Sequence, residues 1–200
     1  MMLGARTGAW AKSGAPLPYD AEIEYLGSTA TQYFDTRIAV TSTTRIRALA
    51  SAETTANGFI FGSLAGLTYI GAQYYHRVGL RVFCGKASSA YNQSGFVAGT
   101  AYLYEIDNEN GAISIDGATV KTTGTSGGVG GMIYAFRNNA QTEGASCNIY
   151  SIEIWDNNIL VRDLIPVRKV NIGYMYDRVS GQFFGNEGTG DFVIGPDKTT

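Results

Sequence analysis

The chain has 200 residues, 44% of them hydrophobic and 16% charged, with a formal net charge of −2. That length and apolar content suffice for one folded domain with a sizeable core and exclude a disordered chain. The sparse, nearly balanced charge argues against a nucleic-acid groove, and no apolar run approaches the roughly 18 residues that span a bilayer.

Residues 1–20 differ in character from the rest of the chain. Gly4, Gly8, Gly14, Pro16 and Pro18 break any regular element, so the segment reads as a flexible or docking arm. It carries Met1, Met2, Leu3 and Trp10, apolar groups that gain by burial against the domain or a partner. Arg6 and Lys12 flank no apolar stretch, so the arm is a poor secretory signal. From Ala21 onward the chain alternates in strand fashion. Ile23 and Tyr25 face away from Glu22 and Glu24, and Ile46 and Ala48 away from Arg45 and Arg47. Strands come next at 59–62, 67–75 and 80–84, then at 101–107 and 112–115, where Asn110-Gly111 and Asp116-Gly117 supply turns. A glycine-rich turn at 124–131, with no Lys and no helix after it, precedes a strand at 132–136.

Ile149, Ile152 and Ile154 do not keep one parity, which calls for a bulge. Asn157-Asn158 turns the chain back, and Pro166 is expected to end the Leu164-Ile165 strand because it has no N–H to give. Short strands at regular spacing, with no helical period, predict an all-β sandwich over 21–200. Cys84 and Cys147, the only cysteines, are expected as two buried thiols. Arg162, Arg168, Lys169 and Arg178 are too dispersed for a phosphate track.

Several segments resemble a known family. The pair 102–107 and 113–117 is similar to the central hairpin of laminin-G and concanavalin A-like lectin/glucanase domains. Glu22-Ile-Glu-Tyr-Leu-Gly-Ser-Thr-Ala-Thr-Gln-Tyr-Phe-Asp-Thr36 resembles the opening of a group of such domains in gut bacteria and their phages. Ile149–Trp155, Leu160–Arg168, Gly173–Asn186 and Gly190-Asp-Phe192 resemble that group's closing run. The resemblance spans about residues 21–196. It implies a concanavalin A-like jelly-roll β-sandwich of two antiparallel sheets, attached to adhesins or phage tail proteins and turned to glycan recognition. A fold hosts many functions, so the chemistry must come from residues.

Glu105, Asp107 and Glu109 resemble the Glu-x-Asp-x-Glu strand of β-glucanases, in which the first Glu is nucleophile and the last is acid/base. Alternate strand residues share a face, as a retaining glycosidase requires of its two carboxyls. The chain departs from that pattern: Asn108 replaces an apolar residue, Asn110-Gly111 comes at once after Glu109, and only Trp10 and Trp155 are available as platforms. The expectation is therefore a non-catalytic module, with a glycosidase as the alternative. Asp107, Asn108, Glu109 and Asp116 offer oxygen ligands of the kind Ca²⁺ accepts, and related domains bind Ca²⁺ at a rim; the same residue types are also ordinary turn formers.

Tyr74, Tyr75, His76 and Tyr91 are the candidate carbohydrate-binding residues, because Tyr rings stack on sugar faces and also hydrogen-bond. Tyr74 and Tyr75 point to opposite faces of a strand, so at most one is a platform. A charge-poor surface and an apolar arm point to a homo-oligomer, a trimer before a dimer, or to other virion proteins as partners through the arm. The resulting expectation is a virion or extracellular-surface protein whose partner is a glycan or host surface.

Overall fold

The computed structural model describes residues 16–53, 57–75, 79–86, 88, 90–123, 129–139 and 144–199. Among these no α-helix forms. The first strands are β1 (Ala21–Glu22), β2 (Leu26–Thr29), β3 (Phe34–Ala39), β4 (Arg45–Ala52), β5 (Gly58–Ala65), β6 (Thr68–Tyr75), β7 (Gly79–Lys86) and β8 (Tyr91–Gln93). Then come β9 (Tyr102–Asp107), β10 (Ala112–Ile115), β11 (Ala118–Thr122), β12 (Met132–Ala135), β13 (Ser146–Asp156), β14 (Ile159–Lys169), β15 (Ile172–Asp177), β16 (Phe183–Phe184) and β17 (Val193–Ile194).

They build two antiparallel sheets, a jelly-roll sandwich. The larger runs β11-β10-β9-β4-β13-β14-β15-β16, with β1 beside β14 and β17-β2 beside β13; the smaller runs β3-β12-β5-β6-β7-β8. The alternation in the sequence sets the inner faces. Ile46, Ala48, Ala50, Tyr104, Ile106 and Ile154 of the larger sheet meet Phe34, Phe61, Ile70, Ala72 and Leu80 of the smaller in one core. Each fully covered large apolar side chain contributes about 1.5–3 kcal/mol. Arg162 of β14 joins the layers, donating from Nε to the Thr36 carbonyl of β3 at 3.0 Å.

β13 is the spine of the larger sheet. β4 runs along its length, while β2 takes Ser146–Ile149 and β14 takes Ile152–Asp156 on the other side. The expected bulge falls between Ile149 and Ser151, which lets Ile149, Ile152 and Ile154 all reach the core. Asn157 and Asn158, at φ 47° and 61°, make the two-residue turn to β14.

Two expectations are corrected. β14 does not stop at Pro166 but runs on to Lys169. Pairing with β13 ends at Leu164 and pairing with β1 begins at Val167, so the missing N–H falls in the gap between partners. The Pro166 carbonyl still accepts from Ile23 at 3.1 Å. Asn110-Gly111 does turn the chain, but Asn110 does not take the positive φ that a tight hairpin would ask of it. The loop occupies 108–111 with Asp107 opposite Ala112, and Gly111 alone has a positive φ, 59°.

Cys84 and Cys147 are both buried and no disulfide joins them. Residues 1–15, with Trp10, lie outside the described residues. Tyr19 packs with Ile165 and Val167 in a second cluster on the outer side of β14–β16, bordered by Tyr174, Tyr176 and Phe183. No described helix is long and apolar enough to cross a membrane.

Candidate functional site

The smaller sheet brings residues from remote segments onto its outer face. Across it the register aligns Asp35, Tyr134, Gly62, Gly71 and Phe83 on β3, β12, β5, β6 and β7. Gly71 admits no side chain: its φ is 144°, and a Cβ would lie 2.3 Å from the Phe61 carbonyl oxygen. The bare backbone of the glycine pair lets the Phe59 ring lie against the sheet, its Cδ1 3.3 Å from where a Gly62 Cβ would stand.

Toward β7, Phe59 stacks on both Tyr69 and Phe83, which meet each other at a tilt, Phe59 and Phe83 being buried. Arg81 lies over both Phe83 and Tyr75. On the β3 side, the Arg137 guanidinium stands 3.4 Å from the Tyr33 ring centroid and 4.9 Å from that of Tyr134. The turn after β12 explains this placement. Phe136 takes a positive φ of 67° and enters the core, which sends Arg137 back over the strand it has just left. Asn139 then grips Leu64 of β5, accepting from its N–H and donating to its carbonyl.

The segment 186–190 forms a rim along the open edge of β3. Tyr33 donates its N–H to Asn186 Oδ1 at 3.1 Å, and Glu187 donates its N–H to the Tyr33 carbonyl at 2.8 Å. Gly188 passes so close to Thr31 that a Cβ there would sit 2.0 Å from the Thr31 carbonyl oxygen. Two carboxylates therefore flank the tyrosines, Asp35 from the strand and Glu187 from the rim. Burial first, then the Asp35 charge, raises the Tyr134 phenol above its ordinary value; the Arg137 charge opposes that shift and Glu187 adds to it. The phenol is thus a proton donor at physiological pH. The Arg137 Nε is buried and has no hydrogen-bond partner among the described residues. Tyr33, Asp35, Tyr134 and Arg137 are all part-exposed and Glu187 is exposed. Nitrogen and phenol donors beside carboxylate acceptors, backed by aromatic rings, make a set suited to a hydroxyl-rich ligand.

The residues singled out from the sequence are distributed differently. Tyr74 is 7% exposed, inside the core and against Phe96, so it is not a platform. Tyr75 points to the outer face and meets Arg81. Tyr91, on the edge strand β8, packs against the core, and His76 lies outside the described residues.

The three glucanase-like carboxylates have separate tasks. Glu105 pairs with Arg47 at 3.5 Å, Asp107 accepts from the Asn110 N–H and side chain, and Glu109 lies past the end of β9 in the turn. The Ca²⁺ candidates do not converge. Asp107 and Asp116 stand at opposite ends of β10, the latter accepting from Leu103 N–H, and Asn108 is buried with its Nδ2 donating to the Thr41 carbonyl. Among the described residues no three His, Cys, Asp or Glu gather for a metal.

No family model matches the chain and no curated protein matches its sequence. Solved structures do. A Bacteroides ovatus protein to which carbohydrate binding has been ascribed superposes with a TM-score of 0.57 at 13% identity, over 89% of this chain and 61% of that one. The native heptameric SAP-like pentraxin of Limulus polyphemus superposes with a TM-score of 0.52 at 12% identity, over 90% of this chain and 96% of that one. The chain thus spans less than two thirds of the Bacteroides protein. At these identities the likeness is one of fold.

Proposed function

We propose that this chain is a non-catalytic glycan-binding module, carried on a virion or cell-surface adhesion protein. The observation that carries the reading is the Tyr33–Tyr134–Arg137 group with Asp35 and Glu187 beside it. Sugar hydroxyls are met by such mixed donor and acceptor sets, and ring faces add apolar contact. The carbohydrate binding ascribed to the Bacteroides ovatus protein of the same fold agrees with it. A glycan array on the intact protein, repeated with Tyr33→Ala and Tyr134→Ala, is the test. Binding to a defined set of glycans, lost at least tenfold in both variants with thermal stability retained, is expected. Binding unchanged by either variant would move the site elsewhere.

The glycoside hydrolase alternative has less support, since Glu105 and Asp107 are engaged with Arg47 and Asn110. Reducing-end release from β-glucans that Glu105→Gln and Glu109→Gln both abolish would reinstate it. Self-association, a trimer first, belongs to the same proposal, with the arm of residues 1–20 as the contact. Light scattering on the full chain and on one starting at Tyr19 tests it; two monomers at tens of micromolar would refute it.

A further inference from the structure

The charges around Arg137 bear on which glycans fit. One guanidinium faces two carboxylates, Asp35 and Glu187, both close enough to act on the Tyr134 phenol. The guanidinium is also engaged: it lies against two ring faces. The cation of β3, Arg37, lies over the Phe184 ring, 5.5 Å from its centroid. Asp35 Oδ1 accepts the Arg37 backbone N–H at 2.7 Å, so the carboxylate is held in place before any ligand arrives. Among the described residues Glu187 has no ion-pair partner.

We infer that the Tyr33–Tyr134–Arg137 site selects uncharged glycans, holding sugar hydroxyls between the Asp35 and Glu187 carboxylates and the Arg137 and Tyr134 donors, and rejects acidic ones. The inference rests on the glycan-binding function proposed for this chain and adds a substrate class to it. A hydroxyl can donate to a carboxylate and accept from a guanidinium or phenol, so each polar group of the site has a complement on a neutral sugar. A uronate or sialate brings an acceptor-only anion against two carboxylates and one already engaged cation. Like charges in a part-desolvated site are repelled, and that repulsion discriminates without any change in shape.

Affinity electrophoresis of the full chain in native gels is the test, with mannan, galactan and dextran as neutral probes and polygalacturonate and alginate as acidic ones. Retardation by at least one neutral polysaccharide and by neither acidic one is expected. Glu187→Gln, a change at an exposed side chain, should weaken neutral binding about fivefold, and Asp35→Asn at least as much, with melting temperature recorded for both. Retardation by an acidic polysaccharide that Arg137→Ala abolishes would overturn the inference while leaving the glycan-binding function intact. Neutral binding indifferent to Glu187→Gln, Asp35→Asn and Arg137→Ala would overturn the placement. No retardation by any probe, with an empty glycan array, would overturn both the inference and the proposed function.

Discussion

Arg162 Nη1 stands 3.5 Å from the carboxylate of Asp177, a side chain with no exposed surface. The same carboxylate accepts from the backbone N–H groups of Asp163, Val179 and Ser180 and from the Ser180 hydroxyl. It therefore fixes the 177–182 turn and, through Arg162, the tie between the sheets. Asp177→Ala strands a mostly buried guanidinium and several N–H groups together. We expect a loss of about 3–5 kcal/mol in chemical denaturation. A loss below about 1 kcal/mol would show that the turn is held by something else.

Tyr104 is the opposite case. Its ring is wholly buried in the core, and its hydroxyl has no hydrogen-bond partner among the described residues. Burial pushes its phenol far above the ordinary value. Tyr104→Phe removes a desolvated hydroxyl and keeps the ring, so a gain of about 1 kcal/mol is expected. Marked destabilisation would reveal a partner for the oxygen.

Two carboxylates of β13 should titrate in opposite directions. Burial raises Glu153, against the opposing pull of Arg47. Hydrogen bonds from the Thr41 and Thr43 hydroxyls lower Asp156. A raised carboxyl favours the fold below its unfolded value, and that contribution is lost as pH rises through the folded one. A lowered carboxyl contributes above its unfolded value and loses that contribution as pH falls through the folded one. Glu153→Gln should therefore raise the melting temperature at pH 7 and match the native protein at strongly acid pH. Asp156→Asn should lower it at pH 7, with the gap closing on acidification. The same sign for both variants at pH 7 would contradict this.

Gly188→Ala drives a methyl group into the Thr31 carbonyl and against the Tyr33 ring, 3.0 Å from Cδ1. The rim must shift away from β3 and carry Glu187 with it. About 1–3 kcal/mol of stability should go, together with most glycan affinity. Unchanged affinity would mean that Glu187 takes no part in binding.

The fold was largely legible because it rests on local signals. The parity break among Ile149, Ile152 and Ile154 marked a bulge, and Asn157-Asn158 marked a turn. Pro166 misled because its tolerance depends on which neighbour lies opposite, a fact set by β1 and β13 from far along the chain. The site was harder for the same reason. Tyr33 and Asp35 lie in the opening motif and Asn186 in the closing one, yet both motifs carry fold information as well. Only the register across β3 and β12 sets them beside Arg137. Tyr74 and Tyr91 stand out in the sequence as tyrosines of one aromatic-rich stretch, whereas burial on either strand depends on what lies across the sandwich.

The segments 22–27 and 193–198, near the two ends of the domain, run against each other. Lys198 donates to the Glu22 carbonyl, Ile23 lies opposite Asp197, Glu24 donates to Pro196, and the pairing continues through Leu26–Ile194 to Gly27–Val193. The pairing opens at Glu22 and Lys198, so tension applied at the two ends loads one rung at a time. The rungs part in turn, as a zip does, instead of resisting together in shear. A sandwich pulled from both ends would yield at this seam, together with the short β1–β14 pairing beside it, and leave β4, β9 and β13 assembled.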